Sequence, residues 1–234
     1  VCSEITIQQD NEYRGANYLL ALLVVILQAI TLLATVIGSR SGGCDGGMKK
    51  VILSLALGTF GLGMAEFGIM GVLTELAHNV GISIPAAGHM ISYYALGVVV
   101  GAPIIALFSS RYSLKHILLF LVALCVIGNA MFTLSSSYLM LAIGRLVSGF
   151  PHGAFFGVGA IVLSKIIKPG KVTAAVAGMV SGMTVANLLG IPLGTYLSQE
   201  FSWRYTFLLI AVFNIAVMAS VYFWVPDIRD EAKG

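Results

Sequence analysis

The sequence predicts an all-α, polytopic membrane protein, with six closely spaced transmembrane helices from Met48 onward and one further apolar helix ahead of them. Three observations carry this expectation. The 234-residue chain is 58% hydrophobic and only 10% charged, far more apolar than an ordinary water-soluble domain. Its apolar residues gather into runs of roughly 20, the length at which a helix crosses a ~30 Å hydrocarbon core. The short segments of alternating polarity that mark a membrane β-barrel are absent from the sequence.

Residues 1–17 are polar and mildly acidic, and residues 18–37 form an apolar run interrupted by Gln28. A secretory signal has a basic start, a shorter apolar region and a small-residue cleavage site. This run has an acidic start and full length, so it reads as a span. Residues 38–47 (GSRSGGCDGG) have the composition of a flexible linker. Met48-Lys49-Lys50 follows abruptly and leads into a new span. That is how many bacterial membrane proteins begin, so the expectation is that Met48 is the natural start and that 1–47 is fused or upstream-translated sequence. A genuine extra helix is the alternative. The chain thus divides into an N-terminal segment, 1–47, and a six-span unit, 48–234.

The six spans are expected at 51–73, 86–109, 115–134, 138–165, 172–198 and 204–225. Their connections are short, as between adjacent antiparallel helices. Lys49, Lys50, Arg111, Lys115, Lys165, Lys168, Lys171, Arg229 and Lys233 fall on one side of these spans, while Arg204 is the basic residue on the other. The positive-inside rule makes the loaded side cytoplasmic, with both ends of the six-span unit inside. The net charge of +3 is spread over these loops rather than gathered in a patch, so no nucleic-acid partner is expected. Cys2, Cys44 and Cys125 lack metal-ligand spacing, and no catalytic triad or phosphate-binding loop is present. The reading is of a non-enzyme without metal or cofactor.

The fourth span carries the densest information. It contains Arg145, Pro151, His152 and a ladder of glycines: Gly144, Gly149, Gly153, Gly157 and Gly159. An arginine inside a bilayer span is costly and usually faces a bundle interior or a water-filled cavity. Glycines let a neighbouring backbone approach closely. In the first span, Glu66 lies ~24 Å from the inner face by helical rise, and Arg145 lies ~18 Å from it. That difference is short enough for two long side chains to bridge, so each is the other's expected partner. The functional reading is a carboxylate whose proton affinity is set by the arginine and by substrate. A static ion pair that locks helix packing is the alternative.

His152 follows Arg145 by about two helical turns and points to the same face. It is a substrate-cavity candidate, or else an interhelical hydrogen-bonder. Asn129, Asn187 and Asn214 read mainly as interhelical hydrogen-bonders, with Asn187 also a cavity candidate. Tyr93 and Tyr94 sit near the outer end of the second span, where an aromatic belt is expected; Tyr93 is a further cavity candidate. The second and fifth spans share a Gly-x-Pro, Gly101-Ala102-Pro103 and Gly190-Ile191-Pro192. The first and fourth are both glycine-rich. This suggests a three-plus-three inverted repeat pairing spans one with four, two with five and three with six.

These residues resemble the N-terminal half of a major facilitator superfamily transporter, in its proton-coupled drug and sugar efflux group. Arg145, Gly149 and Gly153-Ala154 look like that family's arginine motif in the fourth span. Gly178-x-x-x-Gly182 through Gly190-Ile191-Pro192-Leu193-Gly194 is similar to its antiporter motif, with the proline one residue later. The loop Ala106–Lys115 keeps Arg111 and Lys115 of the family's conformational-gate motif, but Ser110 replaces its acid. The resemblance implies a bacterial inner-membrane exporter of sugars or small drug-like solutes, driven by protons through Glu66 and Arg145. It also implies a twelve-span protein, in which a second six-helix half partners this one. Uptake, or a bundle that transports nothing, remain the rival readings.

Overall fold

The computed structural model describes residues 46–108 and 112–228. They form six α-helices: α1 (Gly46–Val80), α2 (Ile84–Phe108), α3 (Leu114–Leu134), α4 (Tyr138–Ile166), α5 (Val172–Glu200) and α6 (Trp203–Trp224). All six are long and apolar enough to cross a membrane, and the expected span order holds throughout. The anticipated helix at 18–37 and the expected gate residue Arg111 lie outside the described residues.

The helix ends follow local chemistry. Ser137 and Ser202 cap α4 and α6 by accepting from the Met140 and Arg204 backbone N–H groups, which otherwise have no partner in the first turn. The first helix runs seven residues past the expected span end at 73. Its last turns carry Glu75, His78 and Asn79, and the Asn79 amide donates to Glu75. It stops at Gly81, whose φ of +72° is the left-handed conformation that ends many helices. Pro103, Pro151 and Pro192 all lie inside continuous helices. In a membrane bundle the freed backbone groups can be satisfied by neighbours.

Two helix pairs form the closest seams, α1 with α5 and α2 with α4. The third helix lies against α4 and α6, and α6 also lies against α1. Exchanging α1 with α4, α2 with α5 and α3 with α6 maps this set of contacts onto itself. The correspondence reaches individual residues. A Cβ placed on Gly101 would stand 2.0 Å from the Phe150 carbonyl oxygen, and one on Gly97 would stand 2.3 Å from that of Leu146. In the other seam, a Cβ on Gly190 would stand 2.9 Å from the Phe67 Cβ, and one on Gly63 would stand 2.6 Å from the Ala186 Cβ. Gly101 therefore corresponds to Gly190, Phe150 to Phe67, and Leu146 to Gly63 at a constant offset. Each Gly-x-Pro lets its helix sit directly on a neighbour's backbone.

The glycine ladder of α4 is used at four of its five rungs. Gly144 faces Phe132, Gly149 faces the Tyr94 carbonyl, Gly153 faces Ala102 and Gly159 faces Met179. Gly157 has nothing within 4 Å of where its Cβ would stand, so it is not a packing glycine within this unit.

Candidate functional site at the meeting of α1, α2 and α4

Arg145 is fully buried. Its Nη1 donates to the Ala65 carbonyl at 2.7 Å and its Nε donates to the Met90 carbonyl at 3.3 Å. The guanidinium lies 4.5 Å from the centre of the Tyr94 ring, 5.6 Å from Phe132 and 5.7 Å from Phe207. Each such aromatic face attracts a cation by roughly 0.5–2 kcal/mol. Carbonyls and rings from α1, α2, α3 and α6 thus surround the charge, and Nη2 is left without a hydrogen-bond partner.

No direct ion pair joins Arg145 to Glu66, contrary to the sequence expectation. The depth matching was sound, because the guanidinium reaches the residue immediately before Glu66. The partner group was not. Ala65 is completely buried, whereas the Glu66 side chain, about 100° further around the helix, is 34% exposed. Arg145 comes from the interior and meets the backbone, while the carboxylate points towards the open side.

The Glu66 carboxylate instead faces His152, with Oε2 3.6 Å from Nε2. His152 is buried, and its Nδ1 is hydrogen-bonded to the Tyr94 hydroxyl at 2.8 Å. That hydroxyl also lies 3.2 Å from the Leu62 carbonyl oxygen, within donating distance. Phe156 covers the imidazole from its own helix, with ring centres 5.5 Å apart. Glu66, His152, Tyr94 and Arg145 therefore form one connected cluster spanning three helices.

Tyr94 is the residue that sequence reasoning missed, having placed it with Tyr93 in an aromatic belt. Met90, Tyr94, Gly97 and Gly101 recur at helical spacing along one face, and that face carries the close-approach glycines. This stripe would have marked Tyr94 as inward. Tyr93, on the neighbouring face, makes a 3.4 Å contact with the Tyr138 hydroxyl, which also meets His89 at 3.1 Å. It stands apart from the cluster. Asn187 is exposed and joins no member of the cluster. Asn129 and Asn214 are buried but donate to Cys125 and Ile210, one turn back on their own helices. They are not the interhelical links expected of them.

The six-helix arrangement, its internal repeat and the buried arginine coincide with one family. Residues 55–234 match the model of the Major Facilitator Superfamily. The chain belongs to the major facilitator superfamily. This is a family of membrane transporters, and the chain is a multi-pass protein of the bacterial inner membrane. Over 175 residues it is 41% identical to an inner membrane transport protein, YdhP, of Escherichia coli, covering 75% of this chain and 45% of that protein. An uncharacterised major facilitator-type transporter of Bacillus subtilis, YfhI, is 34% identical over 180 residues, covering 77% of this chain and 45% of that one. A chloramphenicol resistance protein of Streptomyces lividans is 28% identical over 165 residues, covering 70% and 42%. The chain spans less than half the length of these relatives. A solved bacterial homologue of the human lysosomal transporter Spinster, inward-facing and unoccupied, superposes with a TM-score of 0.67 at 17% identity over 82% of this chain and 46% of that one. That likeness speaks for the fold.

Two motif regions identified with the superfamily can be placed. Gly190 and Gly194 of the antiporter-like stretch both meet α1 at Phe67 and Gly68, with Pro192 between them on the exposed side. These residues carry the α1–α5 seam beside Glu66. Lys115, expected in the gate loop, holds its ammonium 5.0 Å from the centre of the Tyr222 ring of α6. Beside it the Leu114 N–H donates to the Ile228 carbonyl at 2.8 Å, which ties the segment after α6 to the start of α3.

Proposed function

We propose that this chain forms one six-helix half of a proton-coupled efflux transporter, in which Glu66 takes up the proton and Arg145 sets how strongly it is held. One observation carries the reading. Glu66 is an acidic side chain inside a membrane span, and it stays 34% exposed while Ala65, Gly68 and Ile69 beside it on the helix are buried. A carboxylate held within a membrane span without a tight ion pair is costly, and such groups usually mark ion or substrate paths. Its carboxyl can exchange a proton with a water-filled cavity, and Arg145, held by α1 and α2, supplies a fixed positive charge nearby.

The cavity would lie between α1, α2, α4 and α5, and alternating access would come from rocking this half against a second six-helix half. His152 would border the proton site. Asn187 and Tyr93 would contact substrate from the exposed faces of α5 and α2, and Arg111 and Lys115 would serve the cytoplasmic gate. The substrates would be sugars or small drug-like solutes, and the process is transport rather than catalysis. Residues 48–234 resemble the N-terminal half of the arabinose-inducible transporter AraJ of enteric bacteria, which supports a sugar-type solute. The relative named for chloramphenicol resistance supports export of a drug-like one. Export is favoured over uptake by the antiporter-like Gly190-Ile191-Pro192-Leu193-Gly194 stretch.

The test is accumulation driven by a pH gradient in inverted vesicles containing the full-length transporter, normalised to folded protein. Glu66→Gln keeps the size and hydrogen-bonding capacity of the side chain but cannot titrate. Gradient-driven accumulation should disappear while substrate exchange persists. Wild-type accumulation by well-folded Glu66→Gln sinks the assignment.

A further inference from the structure

The cluster around Glu66 contains a hydroxyl with one proton and two acceptors to choose between. Tyr94 Oη lies 2.8 Å from His152 Nδ1 and 3.2 Å from the Leu62 carbonyl oxygen. Tyr94 and His152 are both buried, so water does not readily supply a missing partner. Glu66 is the exposed end of the chain, and its Oε2 stands 3.6 Å from His152 Nε2. That gap is longer than a hydrogen bond, but a small adjustment of a partly exposed side chain closes it. Other titratable groups near Tyr94 are Cys125 from α3 and Arg145 from α4. The charged residues of α5 and α6, Glu200 and Arg204, sit at the helix ends.

Two complete hydrogen-bond patterns of this chain differ in which atom of the Tyr94–His152 contact donates. With Glu66 ionised, Nε2–H donates to the carboxylate, so Nδ1 is bare and must accept from the Tyr94 hydroxyl. When the Glu66–His152 pair gains one proton from the cavity, one proton lies between Oε2 and Nε2 and another sits on Nδ1. Nδ1 then donates to the Tyr94 oxygen, and the Tyr94 hydroxyl turns to the Leu62 carbonyl. The Tyr94 proton never leaves its oxygen, so the net change is one proton gained by the pair.

We infer that His152 and Tyr94 act as a hydrogen-bond switch that transmits the protonation of Glu66 to the backbone of α1. Building on the proton-carrier reading, it gives His152 and Tyr94 the role of positioning residues for that proton. In the proton-loaded pattern α2 gains a hydrogen bond to Leu62, one helical turn before Glu66. In the unloaded pattern that bond is released, and the Tyr94 hydroxyl donates to His152 of α4. Proton uptake thus reverses the Tyr94–His152 hydrogen bond within the α2–α4 seam and adds one at the junction of α2 with α1. The loaded pattern uses the tyrosine twice and the unloaded pattern uses it once. Removing the hydroxyl therefore weakens proton binding.

The direct test uses the full-length transporter in lipid nanodiscs, with histidine isotope-labelled at both ring nitrogens and His152 assigned by its loss in His152→Gln. The His152 Nδ1 resonance should pass from bare acceptor to protonated nitrogen across the pH interval in which transport titrates. In Glu66→Gln it should stay fixed. Tyr94→Phe should move the transport midpoint to lower pH by about one unit, the equivalent of one hydrogen bond. The switch is overturned if wild-type Nδ1 keeps one protonation state throughout, if its change survives Glu66→Gln, or if Tyr94→Phe leaves the midpoint in place. The two readings fail separately: accumulation by Glu66→Gln removes the proton-carrier assignment, whereas an unchanging His152 Nδ1 resonance in the wild-type protein removes the switch alone.

Discussion

Adding a single methyl group at Gly101 tests whether backbone contact holds α2 on α4. A Cβ there would stand 2.0 Å from the Phe150 carbonyl oxygen, 2.7 Å from its carbonyl carbon and 2.9 Å from its Cα. All three are backbone atoms, so no side-chain rotation relieves the clash. Restoring ordinary contact near 3.4 Å requires the helices to part by about 1.4 Å. Overpacking of this kind costs typically 1–3 kcal/mol, and alanine's better helix propensity returns up to ~1 kcal/mol. A net loss of roughly 1–2 kcal/mol lowers the melting temperature by roughly 2–8 °C. Gly157 is the internal control, since nothing lies within 4 Å of its Cβ position and alanine there should be neutral or mildly stabilising. Gly182→Ala probes the α1–α5 seam, where the new Cβ would stand 2.0 Å from the Ala56 carbonyl oxygen. It should lose about as much as Gly101→Ala. Thermal unfolding of the detergent-solubilised protein, followed by tryptophan fluorescence, measures all three. Coincident melting of Gly101→Ala and Gly157→Ala would refute the close-seam argument.

Three further outcomes follow from the same geometry. Replacing Arg145 with Met removes a buried charge whose other contacts are carbonyls and rings; such replacements are often neutral or stabilising, so the variant should melt no lower than wild type yet lose gradient-driven transport. A fall of more than ~3 kcal/mol would instead mark the arginine as a structural strut. Thr59 donates to the Met179 carbonyl of α5 at 2.6 Å, and Thr59→Val should cost about 0.6 kcal/mol, the average for such links between membrane helices, as read by thermal unfolding. Ser136→Cys should react with an impermeant thiol reagent from outside the cell and Lys168→Cys only from the cytoplasmic side, with the native cysteines removed; the opposite pattern reverses the topology.

The fold was legible because bilayer length, loop charge and glycine spacing each constrain it independently. Spans of roughly 20 apolar residues admit few structures other than helices. The Gly-x-Pro pair was a weak sign of a repeat until Phe150 and Phe67 appeared opposite the two glycines. The site was legible by residue but not by pairing. Helical rise placed Arg145 and Glu66 at compatible depths, yet depth says nothing about azimuth. The single step from Ala65 to Glu66 turns the side chain from the interior to the open face. The same difference of one residue separates Tyr93 from Tyr94. Asn129 and Asn214 went astray for another reason, since a short amide in a helix can satisfy its donor one turn back on its own backbone.

The place of the cluster in the bundle bears on how the proposed proton uptake would reach the other helices. Glu66 belongs to α1 and therefore to the α1–α5 seam, while His152 and Arg145 belong to α4 and to the α2–α4 seam. Both seams are built on glycine–backbone contacts that a change of one methyl group disturbs. Arg145 to Ala65, Tyr94 to Leu62 and His152 to Glu66 all cross from one unit to the other. The polar contacts of the cluster thus lie where the two helix pairs meet, and on the proposed reading a proton gained there would change how the pairs are joined. In the proposed rocking cycle the charge state would act on the joint between the two helix pairs, and the close seams would carry that change along the helices.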